Sequence, residues 1–179
     1  MVIIKIDDSY ADGDFLLLRR HLSLLDLELV RLNAAIDVSG GLEVDALRDS
    51  SEYFIGHGFV AIQRYLTATR TGFGIGMSEA FGIPPMTSHG VSLVTAINLG
   101  ANYWKHVEEW TEKINKSIDA ELMGNALNTF NQLTAITPWR EYTCSNLLAI
   151  ILEGQRLELS LLLPKIEEWR NNVFVCRAS

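Results

Sequence analysis

The chain has 179 residues, 48% of them hydrophobic and 21% charged, a balance that fits one folded domain and excludes a disordered chain. A net charge of −7 argues against a protein whose main task is to coat nucleic acid, because such binders need a basic surface to displace counterions from phosphates. The apolar residues 2–6 are too short for a secretory signal, and the apolar-rich stretch 147–163 carries Glu153, Arg156 and Glu158, so no membrane span is expected.

Residues 2–6 read as a short strand. Asp12 or Asp14 then caps a helix whose first turn starts at Phe15. Leu18, Leu22, Leu25, Leu29, Leu32 and Ile36 recur in steps of three and four, the spacing of one helical stripe. Leu17, Leu24 and Leu27 widen that stripe, which predicts a helix buried on more than one side, and Ser39-Gly40-Gly41 ends it. A second helix is expected over residues 44–69, with a break at Ser50 or Ser51 as an alternative. Gly56 and Gly58 inside it each cost about 1 kcal/mol against alanine, so they predict close packing on another helix or a kink.

Residues 71–90 hold five glycines from Gly72 to Gly90 together with Pro84 and Pro85, and predict a long loop with a helical turn at 78–81. Gly72-Phe73-Gly74-Ile75-Gly76 lacks a preceding strand and completes no phosphate-loop pattern. A third helix begins at Ser88 or Val91 and ends near Lys116, and a fourth covers about 118–135. Thr137-Pro138 marks another helix start, with proline at the favoured first position. The following helix or helix pair runs through Leu148, Ile151, Leu152, Leu159 and Leu162, with an interruption at Pro164 and an end at Asn171-Asn172. Residues 173–176 read as a terminal strand, a candidate for pairing with residues 2–6. The expected fold is therefore all-α: a single domain over residues 1–179, an antiparallel bundle of four to five helices with short terminal strands.

The chemistry concentrates on the third helix. Steps of four place Asn98, Asn102 and His106 on one face, opposite Leu93, Ile97, Gly100, Trp104, Val107 and Ile114. Histidine is the side chain best suited to proton transfer near neutrality, the two amides offer hydrogen bonds, and Lys105 offers a positive charge to a phosphate. The same residues also suit an ordinary solvated helix face. Tyr103, His106 and Trp110 follow a boundary stripe that fits a helix–helix interface, and a homodimer through the second or third helix is expected from it. Glu52 and Gln63-Arg64 on the second helix are candidates to face the third, either as a buried polar pair or as an RNA-contacting edge.

His21, His57 and His89 show no metal-ligand spacing with one another or with Cys144 and Cys176, so both cysteines read as reduced thiols of a cytoplasmic protein. Glu108, Glu109 and Glu112 beside His106 fall short of a di-metal set, because Glu153 and Glu158 have no histidine at the required spacing. No metal and no cofactor is expected.

Ala101-Asn102-Tyr103-Trp104-Lys105-His106 resembles the Arg-Asn-x-x-x-His signature of the HEPN superfamily. That resemblance implies a compact α-helical bundle, often dimeric, of a kind found among metal-independent ribonucleases of toxin–antitoxin and phage-defence systems. It implies catalytic roles for His106 and Asn102, beside which Asn98 and Arg64 are candidate RNA contacts. Ala101 stands where the family has arginine, the group that would stabilise charge building on the phosphate. Lys105, Arg64 or a partner subunit are the candidates to replace it. This departure points to a divergent or catalytically silent relative that binds RNA or a cognate protein. The alternative is a non-catalytic helical module of antitoxin-like type, whose acidic charge suits a basic partner.

Overall fold

The computed structural model describes residues 3–6, 9–116, 124–137 and 141–178. Two short strands, β1 (Ile3–Ile6) and β2 (Ser9–Asp12), form an antiparallel hairpin in which Ile3 pairs with Asp12 and Ile6 with Ser9. Helix α1 (Gly13–Ile36) follows at once, and its first turn is capped by the Asp12 carboxylate, which accepts from the Phe15 amide at 2.9 Å. Gly41, at a φ of 60°, turns the chain into α2 (Leu42–Gly72), a helix of 31 residues. No break occurs at Ser50 or Ser51. Each hydroxyl bonds back to a carbonyl four residues earlier, Ala46 and Leu47 respectively, so the serines are satisfied within the helix.

The glycine-rich segment contains only the short α3 (Met77–Gly82) and an isolated bridge between Met86 and Ser92. Helix α4 (Leu93–Lys116) carries the histidine segment, and α5 (Gly124–Thr134) lies beside it. The expected starts at Ile118 and Pro138 lie outside the described residues. Helix α6 (Thr143–Leu152) ends where Glu153 and Gly154 take positive φ, and a single 3-10 turn (Leu159–Leu162) leads into α7 (Leu163–Ala178). The all-α bundle expected from the periodicity is the one observed, with seven α-helices among the described residues. None of these helices is long and apolar enough to cross a membrane.

Three expectations are corrected. Residues 173–176 continue α7 instead of forming a strand, and Asn171-Asn172 does not stop the helix. Ile166, Trp169 and Val173 are all fully buried at helical spacing, and this burial outweighs the weak stop signal of two asparagines. The strand 3–6 therefore pairs with its neighbour in sequence. Leu17, Leu24 and Leu27 are not buried on a second side of α1. They are 63%, 64% and 68% exposed, because α2 and the 3-10 turn cover only the opposite face through Phe15, Leu18, Leu22, Leu29 and Leu32. Tyr103 and Trp110 are buried within the chain, so the aromatic stripe on α4 is not a free surface for a second subunit.

One apolar cluster joins all the helices. Phe59, Ile55 and Ile62 of α2 meet Leu93 and Ile97 of α4, Leu147 and Leu148 of α6, and Trp169 of α7. Two glycines set how closely α2 and α4 approach. A Cβ on Gly56 would stand 2.1 Å from the Trp104 ring, and one on Gly100 would stand 2.7 Å from the Phe59 ring. Close packing, not a kink, is the reason for Gly56; Gly58 does the same against Leu159.

Candidate functional site

The close crossing of α2 and α4 brings Gln63 against the polar face of α4. The Gln63 amide donates to Asn98 Oδ1 at 2.7 Å and to Asn102 Oδ1 at 3.0 Å. Its carbonyl oxygen accepts from Lys105 Nζ at 2.9 Å. Both hydrogens of the glutamine amide are thus used, and the lysine closes the chain of bonds from outside. Partial burial lowers the Lys105 ammonium below its ordinary pKa. Gln63 does face α4, half-buried, as part of a hydrogen-bonded group at the surface. Arg64 points outward, is exposed, and does not line the cleft described next.

His106 lies one turn beyond Asn102, half-exposed at 48%. Its Nδ1 is 3.3 Å from Glu109 Oε2, and its ring stacks on Trp110 with centroids 5.9 Å apart and planes 13° from parallel. Asn102, His106, Glu109 and Trp110 of α4 face Asn125 and Thr129 of α5 across an open cleft of about 250 Å³. Sequence reasoning missed Asn125 and Thr129. Their spacing of four places them on one face of α5, but only the packing of α5 on α4 shows which face turns toward His106. Glu109, one of the carboxylates that look like metal ligands in sequence, has the imidazole as one of its partners. No group of three or more histidine, cysteine, aspartate or glutamate side chains among the described residues is placed to hold a metal ion.

The cleft offers amide, hydroxyl, imidazole and carboxylate groups. Among the described residues, no lysine or arginine lines it. Ala101, at the position of the HEPN arginine, is fully buried at 0% exposure on the core side of α4. That position faces the apolar cluster and cannot present a cation to the cleft. Asn98 and Asn102 are brought together with Lys105 through Gln63, whereas His106 belongs to a separate group with Glu109 and Trp110.

Glu52 is paired with the start of α6. Its carboxylate accepts from the Cys144 and Ser145 amides at 2.6 and 2.8 Å and from the Ser145 hydroxyl at 2.7 Å, capping α6 from another helix. Asp26 does the same for the 3-10 turn, accepting from the amides of Leu159 at 2.6 Å and Ser160 at 2.9 Å. Asp12 adds to its capping role the hydroxyl of Tyr65 at 2.7 Å and the guanidinium of buried Arg170 at 3.2 Å. Burial, then the hydrogen bond to and charge of Asp12, raise Tyr65 well above its ordinary pKa. Burial, then the charge of Glu52, likewise raise the Cys144 thiol. Both cysteines are free, Cys144 buried and Cys176 exposed.

The chain matches no protein-family model, no curated protein and no solved structure.

Proposed function

We propose that this chain is a HEPN-like helical bundle that acts as a non-catalytic interaction module, binding a basic segment of a partner protein in the α4–α5 cleft. The observation that carries this reading is the Glu109 carboxylate 3.3 Å from the His106 ring. In-line cleavage of RNA builds negative charge on the phosphate beside the histidine, and rate enhancement there depends on a fixed cation. Among the described residues, the charged group beside His106 is an anion, the lysine is engaged with Gln63, and the family's arginine position faces the core. A carboxylate with the polar oxygens of Asn125 and Thr129 across the cleft from it suits a lysine or arginine side chain. The net charge of −7 favours approach of a basic partner. This fits an antitoxin-like role in the cytoplasm.

Two assays test the reading. Purified protein incubated with single-stranded RNA should show no turnover, and a short oligo-arginine peptide should shift the amide signals of His106, Asn125 and Thr129 in an NMR titration. Glu109→Gln should weaken that binding by about tenfold, the order expected for losing one charge-assisted hydrogen bond. RNA cleavage at steady turnover that His106→Ala abolishes would overturn the proposal and establish the catalytic HEPN reading instead.

A further inference from the structure

The outward face of α1 carries five of the twelve large apolar side chains that are exposed among the described residues. Leu16, Leu17, Leu24, Leu27 and Val30 are each more than half exposed, and Val38 just beyond the helix is 86% exposed. Their spacing is regular. Leu17 and Leu24 fall on one heptad row, which continues to Arg31, while Leu27 and exposed Ala34 fall on the adjacent row that starts at Arg20. This 3.5-residue seam is the pattern that pairs one helix with another, and it lies on the side of α1 opposite the core. These side chains present on the order of 500 Å² of apolar surface, at the upper end of what a soluble monomer ordinarily exposes.

We infer that α1 is the self-association surface of the protein, and that its occupant is α1 of a second copy packed antiparallel about a two-fold axis through Leu24. The charges on the helix favour this arrangement. Arg20 and Glu28 each lie four residues from Leu24, so the antiparallel two-fold sets Arg20 of each copy against Glu28 of the other, where it joins the pair Glu28 makes at 2.9 Å with Arg31 of its own helix. Leu24 meets its own counterpart. Leu17 and Arg31 each lie seven residues from Leu24, which lays the aliphatic stem of Arg31 along the other copy's Leu17. A parallel pair would instead set Arg20 against Arg20 and Arg31 against Arg31 inside the seam, where like charges are costly. Two copies meeting on this face bury on the order of 1,000 Å², the lower bound for a specific interface and the range of weak, transient dimers. The surface is separate from the α4–α5 cleft, and the inference stands or falls independently of the function proposed for that cleft.

Sedimentation equilibrium across about 1 to 100 µM brackets a dissociation constant in that range. The wild-type chain should rise with concentration toward twice its 20.0 kDa mass. The double variant Leu24→Glu/Leu27→Glu should stay monomeric throughout while keeping its helical circular dichroism, because both side chains are exposed in the monomer. Arg20→Glu and Glu28→Arg should each weaken the dimer about tenfold, and combining them should restore wild-type affinity to within about threefold, the signature of a direct contact. Three results would overturn the inference. They are a wild-type monomer at the highest concentration, a dimer that persists in the double leucine variant, and single charge variants whose combination gives no rescue. A wild-type monomer that sediments with anionic vesicles would assign the leucine face to a lipid surface instead.

Discussion

Glu52 shows how one buried carboxylate can carry a tertiary connection. Three donors converge on it, two of them amides that begin α6 and have no partner within that helix. Glu52→Ala strands all three, and denaturant unfolding should show a loss of about 2–4 kcal/mol. Glu52→Gln keeps the shape and should lose roughly half as much. The neighbouring thiol gives a second readout. Burial keeps Cys144 protonated, so at pH 8 a thiol reagent should modify Cys176 rapidly and reach Cys144 only when the chain unfolds. Equal rates at the two cysteines would contradict the packing of α6 on α2. Such residues are hard to read in sequence because an acid in a helix looks the same whether it faces water or another helix's first turn. Asp12 is the exception. It sits three residues before Phe15 in its own helix, so its capping role is legible locally, while its bonds to Tyr65 and Arg170 are not.

At the scale of the element, α4 illustrates what periodicity can and cannot say. The four-residue steps correctly group Asn98 with Asn102, because a helix repeats nearly every 3.6 residues. They do not say that the shared face turns inward to Gln63, nor that Ala101, beside it in sequence, faces the core. Ala101→Arg, which rebuilds the HEPN motif on paper, should therefore cost about 3 kcal/mol or more and create no ribonuclease activity. Thermal unfolding of that variant decides the point; an unchanged midpoint would mean the position is not enclosed as described. The helix crossing makes a parallel demand. Gly56→Ala puts a methyl where the Trp104 ring lies, and a destabilisation of about 1–3 kcal/mol is expected even though alanine is the better helix former. Stabilisation on this substitution would show that α2 and α4 are not held so close. The long α1 gave the opposite lesson. Its leucines lie on the core face and on the outward face alike, and sequence alone does not say which of them the same chain covers.

For the whole molecule, the same buried groups set how stability responds to alkali. Tyr65 and Cys144 both hold their protons in the fold beyond their ordinary values of 10.0 and 9.0, for the common reason that burial and an adjacent carboxylate disfavour the anion. Below pH 9 both groups are protonated in folded and unfolded chains alike, and their contribution to stability is fully present. Above it the unfolded chain gives up the protons first and therefore binds fewer of them than the fold, so stability falls as pH rises through this window. Tyr65 belongs to the cluster that ties the start of α1, through Asp12, to α2 and to Arg170 of α7, so its ionisation loosens the hairpin end of the bundle as a unit. Chemical denaturation at pH 7.5, 9 and 10.5 should show a progressive loss. Tyr65→Phe should start lower at pH 7.5, because Asp12 loses one of its donors, yet decline less steeply above pH 9. If the variant and the wild-type chain fall in parallel, the tyrosine proton is not what couples this network to pH, and the alkaline response must be assigned to the Cys144 thiol beside Glu52.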